Sequence, residues 1–197
     1  DLTNVYPRFD LAVNPQDEVY LTDGTSEGKY GGKTRYVHFS AEGEHLGAEY
    51  LPIGPEMIFQ TGTDNRWHIT FDAAVLADGE GNEIARIERN GLGNWLERGF
   101  RDWVLKDGGI ALAETRAGRI NRYNAAGEFV EMADLNELVS GYLRVADITE
   151  DIIAIKGSGE VRLVDWQGNP IGKALIPGDT GDYFLRPEQG ELWFYDR

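Results

Sequence analysis

Residues 103–135 read WVLKDGGIALAETRAGRINRYNAAGEFVEMADL. It divides into four short apolar runs, 103–105, 110–113, 119–123 and 129–132, separated by turn chemistry. Gly108-Gly109 and Ala126-Gly127-Glu128 supply residues that tolerate a left-handed backbone or a tight reversal. The spacing predicts a four-stranded antiparallel meander. A lone meander leaves both apolar faces wet, so it needs neighbours of the same build.

The rest of the chain supplies them. The second strand of the stretch begins at Ile110, and similar starts occur at Val19, Trp67, Ile152 and Leu192, spaced 48, 43, 42 and 40 residues apart. A second marker is the glycine between strands three and four: Gly43, Gly81, Gly127 and Gly168, spaced 38, 46 and 41. A period near forty with four strands per unit predicts an all-β chain, a β-propeller of five blades with three to four antiparallel strands each. Blades are expected at about 9–51, 56–89, 102–135, 142–176 and 182–197, forming one domain over 1–197. Residues 2–6 are expected to add the outer strand of the last blade and close the ring, which would protect an exposed sheet edge. The competing expectation is a piece of a longer propeller.

Two segments fall outside the repeat. Residues 23–33 carry four glycines and read as a long exposed loop. Residues 90–101, NGLGNWLERGFR, are expected to pack Trp95, Leu96 and Phe100 over an end of the sheet stack or to form a short helical turn; residues 134–139 suggest another such turn.

The repeat resembles the NHL-type propeller repeat. Leu11-Ala12-Val13 with Val19-Tyr20-Leu21-Thr22-Asp23 carries the pattern, and so does Ile110-Ala111-Leu112-Ala113-Glu114 with Arg119-Ile120-Asn121-Arg122-Tyr123. The resemblance extends to the gluconolactonase/regucalcin-like group. It implies either an interaction propeller or a lyase or lactonase that holds a divalent metal on acidic and amide side chains. A glutamate matching that group's first metal ligand has no counterpart here. Fold alone does not choose between these roles.

Composition narrows the partners. The chain of 197 residues carries a net charge of −15, with 34 acidic against 19 basic residues. A phosphate backbone needs a basic face, so nucleic acid is not expected, nor is an anionic membrane surface. There is no cysteine, which removes disulfides and thiolate chemistry. The chain opens on Asp1, and we read it as exported and processed, extracellular or periplasmic, with a cytoplasmic location left open.

Ring symmetry collects one position per repeat, four after each second-strand start: Asp23, Phe71 with the acid Asp72 next to it, Glu114, Lys156 and Asp196. These predict an acidic rim around a central channel, able to hold a divalent cation such as calcium through oxygen ligands, or a cationic group. The structural alternative is that these acids bond backbone or a neighbouring arginine. Eight basic residues between positions 86 and 122, with Trp95, Phe100 and Trp103, suggest an arginine-aromatic patch, in which Trp95, Arg98, Arg101 and Arg119 are candidate ligand contacts. His38 and His45 read as surface or edge histidines and His68 as a satisfied core or channel histidine. The run DGEGN at 78–82 reads as a strand-three to strand-four turn. The chain is therefore expected to be a non-catalytic module that binds a protein, small molecule or glycan. The rival expectation is a metal-dependent hydrolase or lyase on the same carboxylates.

Overall fold

The computed structural model describes residues 11–14, 16–22, 34–51, 56–60, 62–70, 72–139, 141–157, 159–175, 183–186 and 191–194. Every regular element among them is a strand. The chain divides into two compact units, Asp1–Glu88 and Arg89–Arg197.

The first unit holds β1 (Leu11–Val13), β2 (Val19–Thr22), β3 (Thr34–Phe39) and β4 (His45–Leu51) in one antiparallel sheet. A second sheet comprises β5 (Glu56–Phe59), β6 (Arg66–Ile69), β7 (Ala74–Ala77) and β8 (Glu83–Ile87). The second unit holds β9 (Arg101–Val104), β10 (Ile110–Glu114), β11 (Arg119–Tyr123) and β12 (Phe129–Asp134), then β13 (Val145–Ile148), β14 (Ile153–Lys156), β15 (Glu160–Val164) and β16 (Pro170–Leu175). The pair β17 (Tyr183–Arg186) and β18 (Glu191–Phe194) follows. Each four-stranded sheet is a meander whose strands neighbour one another in sequence order. First strands of consecutive sheets meet within a unit, β1 against β5 and β13 against β17.

One turn recurs through the chain. At Asp78 the backbone NH bonds Asn82 O at 2.9 Å, Gly81 N returns to Asp78 O at 3.0 Å, and the Asp78 carboxylate accepts from Glu80 N and Asn82 N. Ser40, Asn124 and Asp165 build the same turn, with Gly43, Gly127 and Gly168 at the left-handed position. A register shift just before each of these turns marks the same bulge in all four sheets. The glycine marker read from the sequence is this turn. Its side-chain acceptor satisfies two loop NH groups that no strand could reach.

The short helical turn, one of two alternatives for residues 90–101, does not form there. Residues 90–94 instead make the recurring turn, with Asn90 Oδ1 accepting from Leu92 N and Asn94 N, both at 3.1 Å, and Gly93 left-handed at φ 77°. Arg89 and Trp95 pair across it as an isolated bridge. Near residue 136 there is a single bonded turn, Leu138 N to Leu135 O at 3.0 Å. An Asx acceptor at Asn90 competes with a helix start and wins, because a left-handed Gly93 three residues on closes the hairpin. The expected strand at 2–6 and the loop at 23–33 lie outside the described residues.

The second unit's main core lies between its two four-stranded sheets. Ala111, Ala113, Ile120 and Ala133 from one sheet meet Ile148, Ile153, Ile155, Val164 and Trp166 from the other. Alternation along β10 sends Ala111 and Ala113 to that core and leaves Ile110, Leu112 and Glu114 on the opposite face. All five residues of β10 are buried, so the second face also has a cover.

Candidate functional site

That cover includes the segment 90–100. Leu96 and Phe100 are buried, as expected, but Trp95 is 64% exposed. The segment is held by a polar knot centred on Glu114, which is only 3% exposed. Glu114 Oε2 accepts from Asn90 Nδ2 at 3.1 Å and from Asn121 Nδ2 at 2.9 Å; Oε1 accepts from Glu97 N at 3.0 Å. Asn121 faces Leu112 across the β10–β11 pair, so strand alternation puts its amide on the same face as Glu114. Asn121 Oδ1 in turn accepts from Gly91 N at 3.1 Å. Glu97 completes the arrangement, its Oε2 accepting from Arg116 N at 2.9 Å and Ala117 N at 3.2 Å. Tyr123 donates to Arg89 O at 2.7 Å, and burial, with the Glu114 carboxylate, raises its phenol above the ordinary range.

The knot fixes what the segment displays. Arg89 lies over the Trp95 ring, 4.2 Å from its centroid, and donates to Gly93 O at 2.8 Å. The tryptophan is thereby held against a hairpin already pinned at both ends, with Leu92, three residues earlier, also exposed.

Beyond Glu114 the same end of the unit gathers basic side chains. Arg101 opens β9 opposite Ala113, and Arg116 lies in the turn after β10. Thr115 O accepts from Leu143 N at 2.8 Å, and Arg144 O accepts from Lys156 N at 2.7 Å, so the ends of β10 and β14 share this end. Arg98, Arg101, Arg116 and Arg144 are exposed and Lys156 is half-buried. Arg119 is paired with Asp134 at 3.3 Å. Burial opposes the charge on Asp134, but bonds from Asn136 and Arg119 outweigh it and hold its carboxyl below the usual range.

Of the residues expected at the acidic rim, the structure brings Glu114 and Lys156 to one end of the second unit. Asp72 belongs to the first unit, exposed in the β6–β7 turn beside Thr70 Oγ1 at 3.4 Å. Asp23 and Asp196 lie outside the described residues. Sequence reasoning missed Asn90, Glu97 and Asn121. The spacing of a short polar acceptor three residues before a glycine, Asn90 before Gly93 as Ser40, Asp78, Asn124 and Asp165 before theirs, was the signal that could have found Asn90.

A divalent cation does not fit the Glu114 site. Both carboxylate oxygens face N–H donors, and both flanking amides turn nitrogen towards Glu114, with their oxygens bonded to backbone NH groups. A hard cation needs converging oxygens. No group of three or more His, Asp or Glu suited to a metal occurs among the described residues.

The histidines sit in the first unit. His38 stacks on Tyr20 with centroids 4.1 Å apart and bonds Glu18 through Nε2 at 3.1 Å. It faces Gly47 across the β3–β4 pair, while His45 faces Phe39, so the two are not direct partners. His68 is buried on β6, as a core or channel histidine would be, but its Nδ1 has no hydrogen-bond partner among the described residues, so the ring is not fully satisfied. Burial, then the Arg66 charge, lowers its pKa to about 4, which keeps the ring neutral.

The architecture is that of β-propeller-like proteins. The chain is similar to a streptogramin B lyase at 13% identity and a TM-score of 0.61, covering 100% of this chain and 64% of the lyase. It is similar to BamB from Moraxella catarrhalis at 13% identity and a TM-score of 0.55, covering 98% of this chain and 59% of BamB. A catalytically inactive virginiamycin B lyase from Staphylococcus aureus with quinupristin matches at 13% identity and a TM-score of 0.55, over 100% of this chain and 66% of that one. The chain thus spans roughly half to two thirds of the solved structures it matches. No protein-family model and no curated protein matches the sequence.

Proposed function

We propose that this chain is a non-catalytic binding module of the NHL-type propeller class, in which the second unit presents a rigid contact surface to a protein, small-molecule or glycan ligand. The carrying observation is that Glu114 has both oxygens engaged by amide donors from the 90–97 segment and Asn121. An acid positioned for metal or proton chemistry would need a free lone pair; with Asn90 Nδ2 shared between the oxygens, each oxygen of Glu114 faces two donors, and the residue is an anchor. Anchoring lowers the ordering cost of the hairpin, and a preorganised loop binds better than a mobile one. Trp95, Arg98, Arg101, Arg119 and Lys156 are the proposed contacts, with the exposed tryptophan as the main apolar anchor. We place the module outside the cell or in the periplasm, and count five blades, β17 and β18 being two strands of the fifth; an experimental structure with another blade number would correct that count.

Thermal unfolding of the intact chain tests the module against a metalloenzyme. The midpoint should be the same with EDTA and with excess Ca²⁺, Mg²⁺, Mn²⁺ or Zn²⁺. A metal present at a hundred times its dissociation constant would add about 2.7 kcal/mol. A shift of that order, lost in Glu114→Gln, would overturn the reading.

A further inference from the structure

The charge of this chain is unevenly placed. Overall it is −15, yet in residues 89–122 basic side chains outnumber acidic ones, seven to four. The structure accentuates the contrast at the end of the second unit where β10 stops. Its acids are turned inward or paired: Glu114 is buried, the Glu97 side chain is 14% exposed and holds two backbone NH groups, and Asp134 is bound to Arg119 and Asn136. Glu137 is the exposed acid nearby in sequence. The basic side chains are exposed instead. Arg101, Arg116 and Arg144 are exposed and come from three separate segments: the start of β9, the turn after β10 and the approach to β13. Arg101 and Arg144 have no acidic partner among the described residues, and Arg116 reaches only Glu97, at 3.7 Å. Tyr142, two residues before Arg144, is 66% exposed.

We propose that this end of the second unit binds a short acidic peptide segment of a partner protein, with Arg101, Arg116 and Arg144 taking its carboxylates and Tyr142 packing against its backbone. The inference rests on the binding-module reading and names its partner class. A single carboxylate needs one guanidinium, so cations drawn from separate segments fit an anion with several charges along its length. A long polyanion is disfavoured, because outside the patch it would meet the acidic remainder of the chain. Screening over about 8 Å at physiological salt lets a short segment feel the patch and not that remainder. Arginine and tyrosine are also the side chains that concentrate binding energy at protein contacts, which favours a peptide over an acidic glycan.

The test uses the intact chain and a fluorescein-labelled hexaglutamate peptide, read by anisotropy at 50, 150 and 300 mM NaCl. A labelled Gly-Ser hexapeptide is the neutral control and an oligogalacturonate is the competing anion. Hexaglutamate should bind and the neutral peptide should not. Affinity should fall at least tenfold between 50 and 300 mM salt, and at least tenfold in R101E/R144E at 50 mM. Both substituted positions are exposed, so the unfolding midpoint of the variant should hold; should it drop, R101Q/R144Q gives the same comparison with a smaller loss. No binding of hexaglutamate at 50 mM, or equal binding by the variants, overturns the proposal. So does tighter binding of the oligogalacturonate with the same dependence on Arg101 and Arg144. Any of these leaves the binding-module reading standing, since only the metal response of the unfolding midpoint decides that.

Discussion

Glu114 accepts a 3.0 Å hydrogen bond from the backbone NH of Glu97, and the Glu97 carboxylate closes back on the NH groups of Arg116 and Ala117. Two glutamates thus stitch one segment to one β-turn in both directions. The side chains do here what strand pairing does elsewhere in the unit.

Replacing Glu114 by Gln tests that stitch. The amide keeps one acceptor and presents a donor to Asn90 and Asn121, both of which already aim nitrogen at it. Hydrogen bonds to a charged group are worth about 1.5–3 kcal/mol each, and a buried donor left without a partner costs about 1–3 kcal/mol. Urea unfolding should show Glu114→Gln less stable by about 3 kcal/mol. The amides of residues 91–97 should also exchange faster with solvent. A loss under about 0.5 kcal/mol would mean the knot is not what holds the segment.

Trp95 and Trp67 should behave in opposite ways. Trp67 is fully buried on β6, and truncating such a side chain to Ala costs about 3–5 kcal/mol. Trp95 is exposed and contributes a surface cation–π contact with Arg89, worth about 0.5–1 kcal/mol. Trp95→Ala should therefore leave the unfolding midpoint almost unchanged while weakening ligand capture by the intact chain. If Trp95→Ala destabilises as much as Trp67→Ala, the indole belongs to the core and not to a contact surface.

Two glycines separate a soft clash from a hard one. A Cβ on Gly91 would clash with the outer atoms of the Phe129 ring, a half-exposed side chain that can swing aside. A Cβ on Gly109 would clash with Tyr123 O, backbone within a paired sheet. Overpacking costs about 1–3 kcal/mol, and the site that must move backbone takes the upper end. Gly109→Ala should lower stability more than Gly91→Ala, and adding Phe129→Ala should rescue only the latter. Equal losses would show that Phe129 is as fixed as the strand.

Much of the fold was legible because it depends on local chemistry. Gly43, Gly81, Gly127 and Gly168 mark turns that need a left-handed residue, and those turns set the period. The site was legible only halfway. Strand alternation puts Glu114 and Asn121 on one face, but no pattern in β10 says which segment covers that face. Residues 90–97 do, and their arrival converts an expected open carboxylate into a buried anchor. The basic end was visible as a run of arginines in sequence; the presence of Arg144 there depends on the Thr115–Leu143 bond, which joins distant segments.

Asp17 stands where the related turns carry glycine. It closes the turn begun by Asn14 at φ 61°, the position held elsewhere by Gly43, Gly81, Gly93, Gly127 and Gly168. A left-handed backbone costs an ordinary L-residue about 1–2 kcal/mol, and Asp is among those that tolerate it best. Asp17→Gly should stabilise the first unit by about 0.5 kcal/mol, less than the full penalty because glycine also loosens the unfolded chain. A destabilised Asp17→Gly variant would mean that the Asp17 carboxylate makes a favourable contact outweighing its strain.

His68 gives the chain a pH dependence of known sign. Its folded pKa is about 4, against an ordinary 6.5, because burial and the Arg66 charge disfavour the protonated ring. Between those values the unfolded chain binds a proton that the folded chain refuses. Stability is therefore greatest above pH 6.5 and falls as pH drops towards 4, by about 2 kcal/mol at pH 5. Carboxylates held below their usual range, such as Asp134, act in a lower window, so the two contributions separate. Unfolding free energies at pH 7.5 and pH 5 should converge in His68→Phe, which fills the site without a titrating nitrogen. A wild-type chain and a folded His68→Phe variant that lose stability in parallel from pH 7.5 to 5 would place the titration elsewhere, and His68 would then have to find a partner for Nδ1 on protonation.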